Sequence, residues 1–368
     1  MSAPARRKLA GPILGLVFFA ALLAAPGLVK SPYTLHVMIL LFLWTALGES
    51  WNIIGGYGGQ YSVGHAAYFG TGAYVTMLLL QYRQIGPWWG IWAAIAAAAV
   101  VAIIIGSICF RLRGPYFVLA SIAVAEILRL AVLNWKSVTN GAEGILVTEL
   151  PPLVVFGHTI TAFDSKVSFY YFALGVAAAT VIVNFVVKNS RLGYYLQAIR
   201  EDQDAAHSLG IPLARYKNSG LVLSAMFTAV GGSFYAVYVG FVDTTTVLAI
   251  DLSVQIVLIC IIGGIGTILG PVVGALVLVP LSEALRANVI AKALIGAGII
   301  SETSAAGVFI KENLAHAHVL IYGILVVLVI LYMPDGVLGY VRGLLARRAR
   351  RAARAATPAA SPPSVEAR

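Results

Sequence analysis

The chain has 368 residues, of which 60% are hydrophobic and 11% charged, and its net charge is +10. A soluble domain carries about 25% charged residues, so this composition excludes a water-soluble globular enzyme and points to a chain folded in a bilayer. Its two cysteines, Cys109 and Cys260, lie far apart in apolar runs and offer neither a disulfide framework nor a metal-ligand spacing.

A helix needs about 20 apolar residues to cross the hydrocarbon core. Behind Arg6, Arg7 and Lys8 the run Leu9–Val29 is 21 uncharged residues. That exceeds the ~7–15 residues of a signal sequence's apolar region, and Ala24-Ala25-Pro26 makes a poor cleavage site, so a retained first helix is expected. Further spans are predicted at Pro32–Gly48, Gln60–Tyr82, Ile85–Phe110, Gly114–Trp135, Val167–Val187, Asn218–Val242 and Asn313–Met333. The 31 uncharged residues of Leu252–Ser282 would make one helix of about 46 Å, too long for one crossing and too short for two. Gly263-Gly264-Ile265-Gly266 and Gly270-Pro271 interrupt it. Two shortened helices around a buried, irregular turn are expected, because non-helical backbone survives at membrane depth only inside protein or against a cavity. The expected fold class is all-α: a polytopic transmembrane helix bundle with broken or re-entrant helices.

Charge sets the orientation. With the N-terminus in the cytoplasm, 17 of the 25 basic residues fall inside and seven outside, and Arg129 lies within a span, as the positive-inside rule favours. The count requires Leu252–Ser282 to enter and leave on one side. Residues 1–8 then form a cytoplasmic N-terminus and 9–341 a membrane domain with an inner loop at 188–217. Residues 342–368 form a basic cytoplasmic tail, expected to be disordered. On an inner-facing tail, Arg-rich sequence reads as attraction to anionic lipid rather than to nucleic acid.

The inner loop predicts one surface helix. Ser190 is a good N-cap, Gly210 and Pro212 are good stops, and Leu192, Tyr195, Leu196 and Ile199 recur at helical spacing. Within the spans, Gln60, Ser62 and His65 are polar groups in apolar surroundings, where such residues are functional candidates or bonds between helices. Glu126 and Arg129 can pair at i, i+3, about 18 and 22 Å along a helix from Gly114, which reads as a structural ion pair in the outer half. The Gly55-Gly56-Tyr57-Gly58 and Gly263-Gly264-Ile265-Gly266 elements share one pattern. Paired breaks of this kind point to a site near the midplane, or to tight packing.

Asp204-Ala205-Ala206, three residues, then Gly210 resembles the E-A-A-x-x-x-G signature of ABC importer permeases, with aspartate in place of glutamate. Residues Ile54 to Gly70, the Arg113-Gly114-Pro115-Tyr116-Phe117 segment, Thr139 to Ile145, Arg191-Leu192-Gly193, Ala198 to Glu201, and the late glycine turn follow in the order of one family. From about residue 35 to 340 the chain resembles the LivM-type permeases of branched-chain amino acid importers, and Ile290–Lys311 looks like an insertion. The resemblance implies a second homologous permease subunit, two ABC ATPase subunits, an extracytoplasmic solute-binding protein, and the bacterial inner membrane. It implies ATPase coupling by Arg200, Glu201, Asp204, Ala205, Ala206 and Gly210. A translocation pathway would involve Gly58, Gln60, Ser62, His65, Gly263, Gly264 and Gly266.

The chain has no G-x-x-x-x-G-K-[ST] loop, H-E-x-x-H or C-x-x-C, so no cofactor, metal or catalytic group is expected and ATP belongs to the partners. His316 and His318 read as outer-interface residues. The expected cargo is a branched-chain or other hydrophobic amino acid. Urea, short amides or aromatic acids are the alternatives within the same family. An ion-coupled secondary transporter would need acids in the spans, and Glu126 is the one clear candidate. A non-transporting scaffold would leave the broken helices and buried polar groups unexplained.

Overall fold

The computed structural model describes residues 19–29, 31–147, 153–155, 158–160 and 165–286, with short stretches between 323 and 343. The predicted spans' residues 9–18 and 313–322, the candidate insertion at 290–311, and the tail beyond 343 lie outside them.

Helix α1 covers Phe19–Leu28. Helix α2 starts with a proline in its first turn and covers Pro32–Trp51, then widens into a π turn at Asn52–Tyr57. The predicted end at Gly48 is therefore too early: Glu49, Ser50 and Asn52, which look like loop residues, are buried in the continuing helix. Helix α3 begins only at His65 and ends at Arg83, not at the predicted Gln60 start. Residues 58–64 are irregular, and their polar groups are satisfied locally. Gln60 N donates to the Ile54 carbonyl (3.1 Å) and Ser62 N to the Gln60 carbonyl (2.8 Å). Val63 N donates to Ser121 Oγ (3.0 Å), and the Trp51 indole to the Ser62 carbonyl (2.7 Å). Buried backbone off the helix needs this bonding.

Helices α4 (Pro87–Cys109) and α5 (Pro115–Asn134) also open on proline, whose missing N–H costs nothing in a first turn. A one-turn α6 (Lys136–Thr139) follows. Strand β1 (Ile145–Leu146) pairs antiparallel with β4 (Phe241–Val242), and β2 (Leu153–Val155) pairs with β3 (His158–Ile160). Helix α7 covers Lys166–Lys188, capped by the Ser165 side chain. The inner loop then forms two helices, α8 (Arg191–Glu201) and α9 (Gln203–Ser208), where the sequence predicts one. Helix α10 covers Leu213–Val239 directly after Pro212, five residues earlier than predicted. Its first turns tolerate Lys217 because that ammonium reaches Gln203 Oε1 at 2.8 Å. A one-turn α11 (Thr244–Val247) precedes α12 (Ile250–Gly263) and α13 (Gly270–Arg286).

Among the described residues six helical stretches are long and apolar enough to cross a membrane: α2 with its π turn, α4, α5, α7, α10 and the joined α11–α12. The core lies where α2, α3, α7, α10, α12 and α13 meet, with α4 laid across α3 and α10. Helices α3 and α10 approach to backbone contact: a Cβ at Gly72 would overlap the Ala229 carbonyl, and one at Gly232 the Phe69 carbonyl. Small residues allow this in a bilayer, where packing drives helix association. Outward faces of α4, α5 and α7 expose Trp92, Ile104, Leu119, Ile127, Ile182 and Phe185, surface suited to hydrocarbon.

Helices α12 and α13 form the expected antiparallel hairpin around an irregular turn, with Gly263 packed on the Gly270 carbonyl. The loops sort into two ends. At one end Arg113 bonds Asp204 and Lys217 bonds Gln203. At the other, the Tyr82 hydroxyl donates to the Val138 carbonyl, Tyr33 to the Glu283 carbonyl, and Ile145 pairs with Val242. Loops assigned to one side by charge therefore share an end, and α12 starts and α13 finishes at the same one.

Candidate transport site

At the α8–α9 end the chain makes an elbow. Asp202 is extended, and its carboxylate accepts from the backbone N–H of Asp204 (2.8 Å) and Ala205 (2.9 Å). Aspartate is a strong N-cap, so it starts a new helix instead of lengthening α8. Leu196, Ile199 and Ala206 are buried against the bundle, while Glu201, Asp204 and Ala205 are exposed. Asp204 pairs with Arg113 at 2.8 Å, both side chains largely in the open. Gly210 closes α9 at φ +82°, in open space. Two apolar side chains stand out on the exposed side: Leu209, 82% exposed, and Tyr194, 63% exposed.

Arg200 leaves this group and points inward. Its Nη1 donates to the Gly56 carbonyl at 2.7 Å, and a Cβ on Gly266 would lie 2.7 Å from the same nitrogen. The two glycine-rich breaks meet there. Asn52 joins them with both ends of its amide: Oδ1 accepts from Gly266 N (2.9 Å) and Nδ2 donates to the Thr267 carbonyl (3.0 Å). No sequence pattern singles out Asn52.

Toward the middle of the bundle lies a layer of buried polar groups. His65 Nε2 lies 2.8 Å from Ser224 Oγ, which donates to the Ser50 carbonyl at 2.6 Å. Ala66 N donates to Ser253 Oγ (2.7 Å). Gln60 Nε2 bonds the Gly58 carbonyl (3.1 Å), and Ser62 Oγ accepts from Gly64 N (3.3 Å). Gln60, Ser62, His65, Gly58, Gly263 and Gly264 are buried within this chain, and Gly266 is half-buried. The structure thus brings the first-break residues and the glycine turn together through Asn52 and Arg200, and binds His65 to α10.

The layer also holds Glu49, which the sequence reading leaves outside its span. Glu49 is 0% exposed, and among the described residues neither carboxylate oxygen has a hydrogen-bond partner. Its backbone carbonyl accepts from Asn184 Nδ2 (2.9 Å). Glu126 is therefore not the one acid in the membrane-spanning helices. Glu126 and Arg129 form a bidentate pair on α5 at 2.6 and 2.9 Å, partly open to the surroundings. That pair lies apart from the polar layer. The signal for Glu49 was its place four residues after Thr45 on a helix whose buried face includes Leu43, Ala46 and Leu47.

A cavity of about 220 Å³ opens between α2, α3, α12 and α13. It runs from Asp251 and Glu283, at the end where α12 begins, to Leu47 and Ile259 in the interior. None of the residues that the sequence assigns to a pathway lines it. Beyond its floor α2 and the hairpin close together: a Cβ on Gly48 would lie 2.9 Å from Pro271 Cβ and 3.1 Å from Ile259 Cγ2.

A bundle of membrane-length helices with two interlocked breaks, a buried polar layer and an apolar-floored cavity defines a membrane permease. Residues 33–330 match the family described as branched-chain amino acid transport system, permease component, and the chain belongs to that family. It is similar to the high-affinity branched-chain amino acid transport system permease protein LivM of Escherichia coli K12, 28% identical over 293 residues, covering 74% of this chain and 68% of that protein. To LivM of Salmonella typhimurium it is 26% identical over 69% of this chain and 64% of the relative, less than two thirds of that protein's length. To LivH of Escherichia coli K12 it is 26% identical over 84% of this chain and 97% of the relative.

Proposed function

We propose that this chain is one permease subunit of an ATP-driven importer in the bacterial inner membrane, with both termini cytoplasmic. It would work beside a second homologous permease, two ABC ATPase subunits and an extracytoplasmic solute-binding protein, and carry branched-chain or other hydrophobic amino acids. The observation that carries the reading is the α8–α9 elbow. It buries one face on the bundle, presents Ala205, Leu209 and Tyr194 outward at the water-facing end, and sends Arg200 to both glycine breaks. An exposed apolar face beside a charged rim suits docking to a soluble protein, and Arg200 would carry the ATPase's movement into the bundle. Glu201 and Asp204 belong to the rim, Gly210 to the turn that ends the docking helix. Ala206 belongs to the inward face, so a bulky group there tests this chain's packing and not docking.

The test is co-purification and uptake. Ala205→Trp and Leu209→Asp should leave the chain folded in the membrane, release the ATPases, and lower ATP-dependent uptake of L-leucine at least tenfold. Normal ATPase retention in both variants would remove the docking role. One observation favours a second reading, ion-coupled transport without ATPases: the carboxyl of Glu49, which has no hydrogen-bond partner among the described residues. Uptake of L-leucine by liposomes holding this chain alone, driven by a proton gradient, would establish that reading and sink the first.

A further inference from the structure

We infer that the cavity between α2, α3, α12 and α13 is a reception site for a zwitterionic amino acid with an apolar side chain, polar at its mouth and apolar at its floor. The inference rests on the importer reading and adds to it the residues that meet the substrate.

The size comes first. A cavity of about 150 Å³ holds a benzene molecule, so about 220 Å³ has room for a small amino acid. The chemistry is graded along its length. The mouth carries the Asp251 carboxylate, the Gln255 amide and the Thr246 hydroxyl. Asp251 is exposed in the first turn of α12, and among the described residues it has no ion-pair partner. A carboxylate there can take the ligand's ammonium, while the Gln255 amide and Thr246 hydroxyl can donate to its carboxylate. Glu283 adds a second acid to the same wall. Deeper, Leu43, Leu47, Ile259 and Leu278 leave no polar group for a side chain to bond. An ammonium with hydrocarbon beyond it matches this order, and the Gln255 and Thr246 donors give an amino acid's carboxylate its place; an anion fails at the two acids of the mouth and a polar side chain at the floor.

The position fits as well. The mouth lies at the end opposite the α8–α9 elbow, the side from which an importer receives its cargo. The floor stops at the tight contact of Gly48 with Pro271 and Ile259, and the buried layer of Ser50, Ser224 and His65 lies beyond it. The cavity is thus open toward the supply side and closed toward the interior.

The probe is L-photoleucine, the diazirine analogue of leucine, applied to the chain purified with the subunits it co-assembles with and returned to liposomes. Irradiation should place adducts on the Leu43–Leu47 segment of α2 and on α12, and excess L-leucine should remove them. Leu43→Trp fills the floor and Asp251→Asn removes the mouth's charge; each should lower labelling about tenfold in complexes that still assemble. Asp251→Asn is a surface change, so its result stands even where Leu43→Trp fails to fold. The same liposomes, given the solute-binding protein on the receiving side, are assayed for ATP-dependent L-leucine uptake. Uptake with adducts elsewhere, on lipid only, or nowhere overturns the site and leaves the importer reading standing. Adducts in the cavity without ATP-dependent uptake keep the site and overturn the importer reading. Neither adducts nor uptake overturns both.

Discussion

The two glycine-rich breaks share a composition and differ in what they build. The α12–α13 break is a short reversal: Gly263 packs on the Gly270 carbonyl, Gly274 on the Ile259 carbonyl, and the two helices lie against each other. The α2–α3 break widens a helix into a π turn and then leads seven irregular residues back into the bundle, so that α3 starts at the level of Ser50. The α12–α13 break brings backbones together. The α2–α3 break admits Gln60, Ser62 and His65 to the interior. Glycine at close spacing therefore licenses two outcomes, and the neighbours decide: mainly aliphatic neighbours such as Ile262, Ile265, Ile268 and Leu269 accompany the hairpin, and hydrogen-bonding residues accompany the buried irregular chain.

The comparison can be broken most severely at the hairpin. Gly274→Leu sets a side chain into the Ile259 carbonyl, and backbone on both sides leaves nowhere to relax. The expected cost is about 3 kcal/mol or more, read as loss of the monodisperse species in detergent size-exclusion. Normal thermal unfolding of that variant would mean that the hairpin is looser than described. Next comes the joint between the breaks. Asn52→Ala strands the Gly266 N–H and the Thr267 carbonyl, an expected loss of about 2 kcal/mol in thermal unfolding. Asn52→Leu fills the same space without hydrogen bonds and should lose a similar amount; a near-normal unfolding midpoint in that variant would show that the joint is held by packing and not by the amide.

A smaller effect of opposite sign sharpens the account of the polar layer. Glu49→Met removes a buried carboxyl without a partner among the described residues and should raise stability by about 1 kcal/mol. A fall in the unfolding midpoint would mean that Glu49 holds an ion, a water molecule or another chain. The smallest effect lies outside both breaks. Asp204→Asn breaks an ion pair whose side chains are 60% and 76% exposed, and the unfolding midpoint should move by no more than about 0.5 kcal/mol. A larger loss would make the Arg113–Asp204 contact part of the fold's support.

Legibility followed the contrast between apolar runs and their borders. Helices α4, α5 and α7 were readable to within a few residues, because each is a long apolar run bounded by proline, glycine or charge. The α12–α13 reversal was readable because a run of 31 uncharged residues fits no other membrane solution. The α2–α3 break was not. Glu49, Ser50 and Asn52 look like the end of a span, and only the helices around them make a buried continuation tolerable. The elbow at Asp202 was missed for a local reason: aspartate is acceptable within a helix yet better at its start, and periodicity cannot choose between them. The family's motifs indicated which segments matter, but they contain neither the Asn52 joint nor the cavity.

Arg200 has a mechanical consequence. One guanidinium on α8 rests against the backbones of Gly56 and Gly266 together, like a pin through two hinges. If the elbow takes a stroke from an ATPase, as proposed, that one side chain would hand it to both breaks at once.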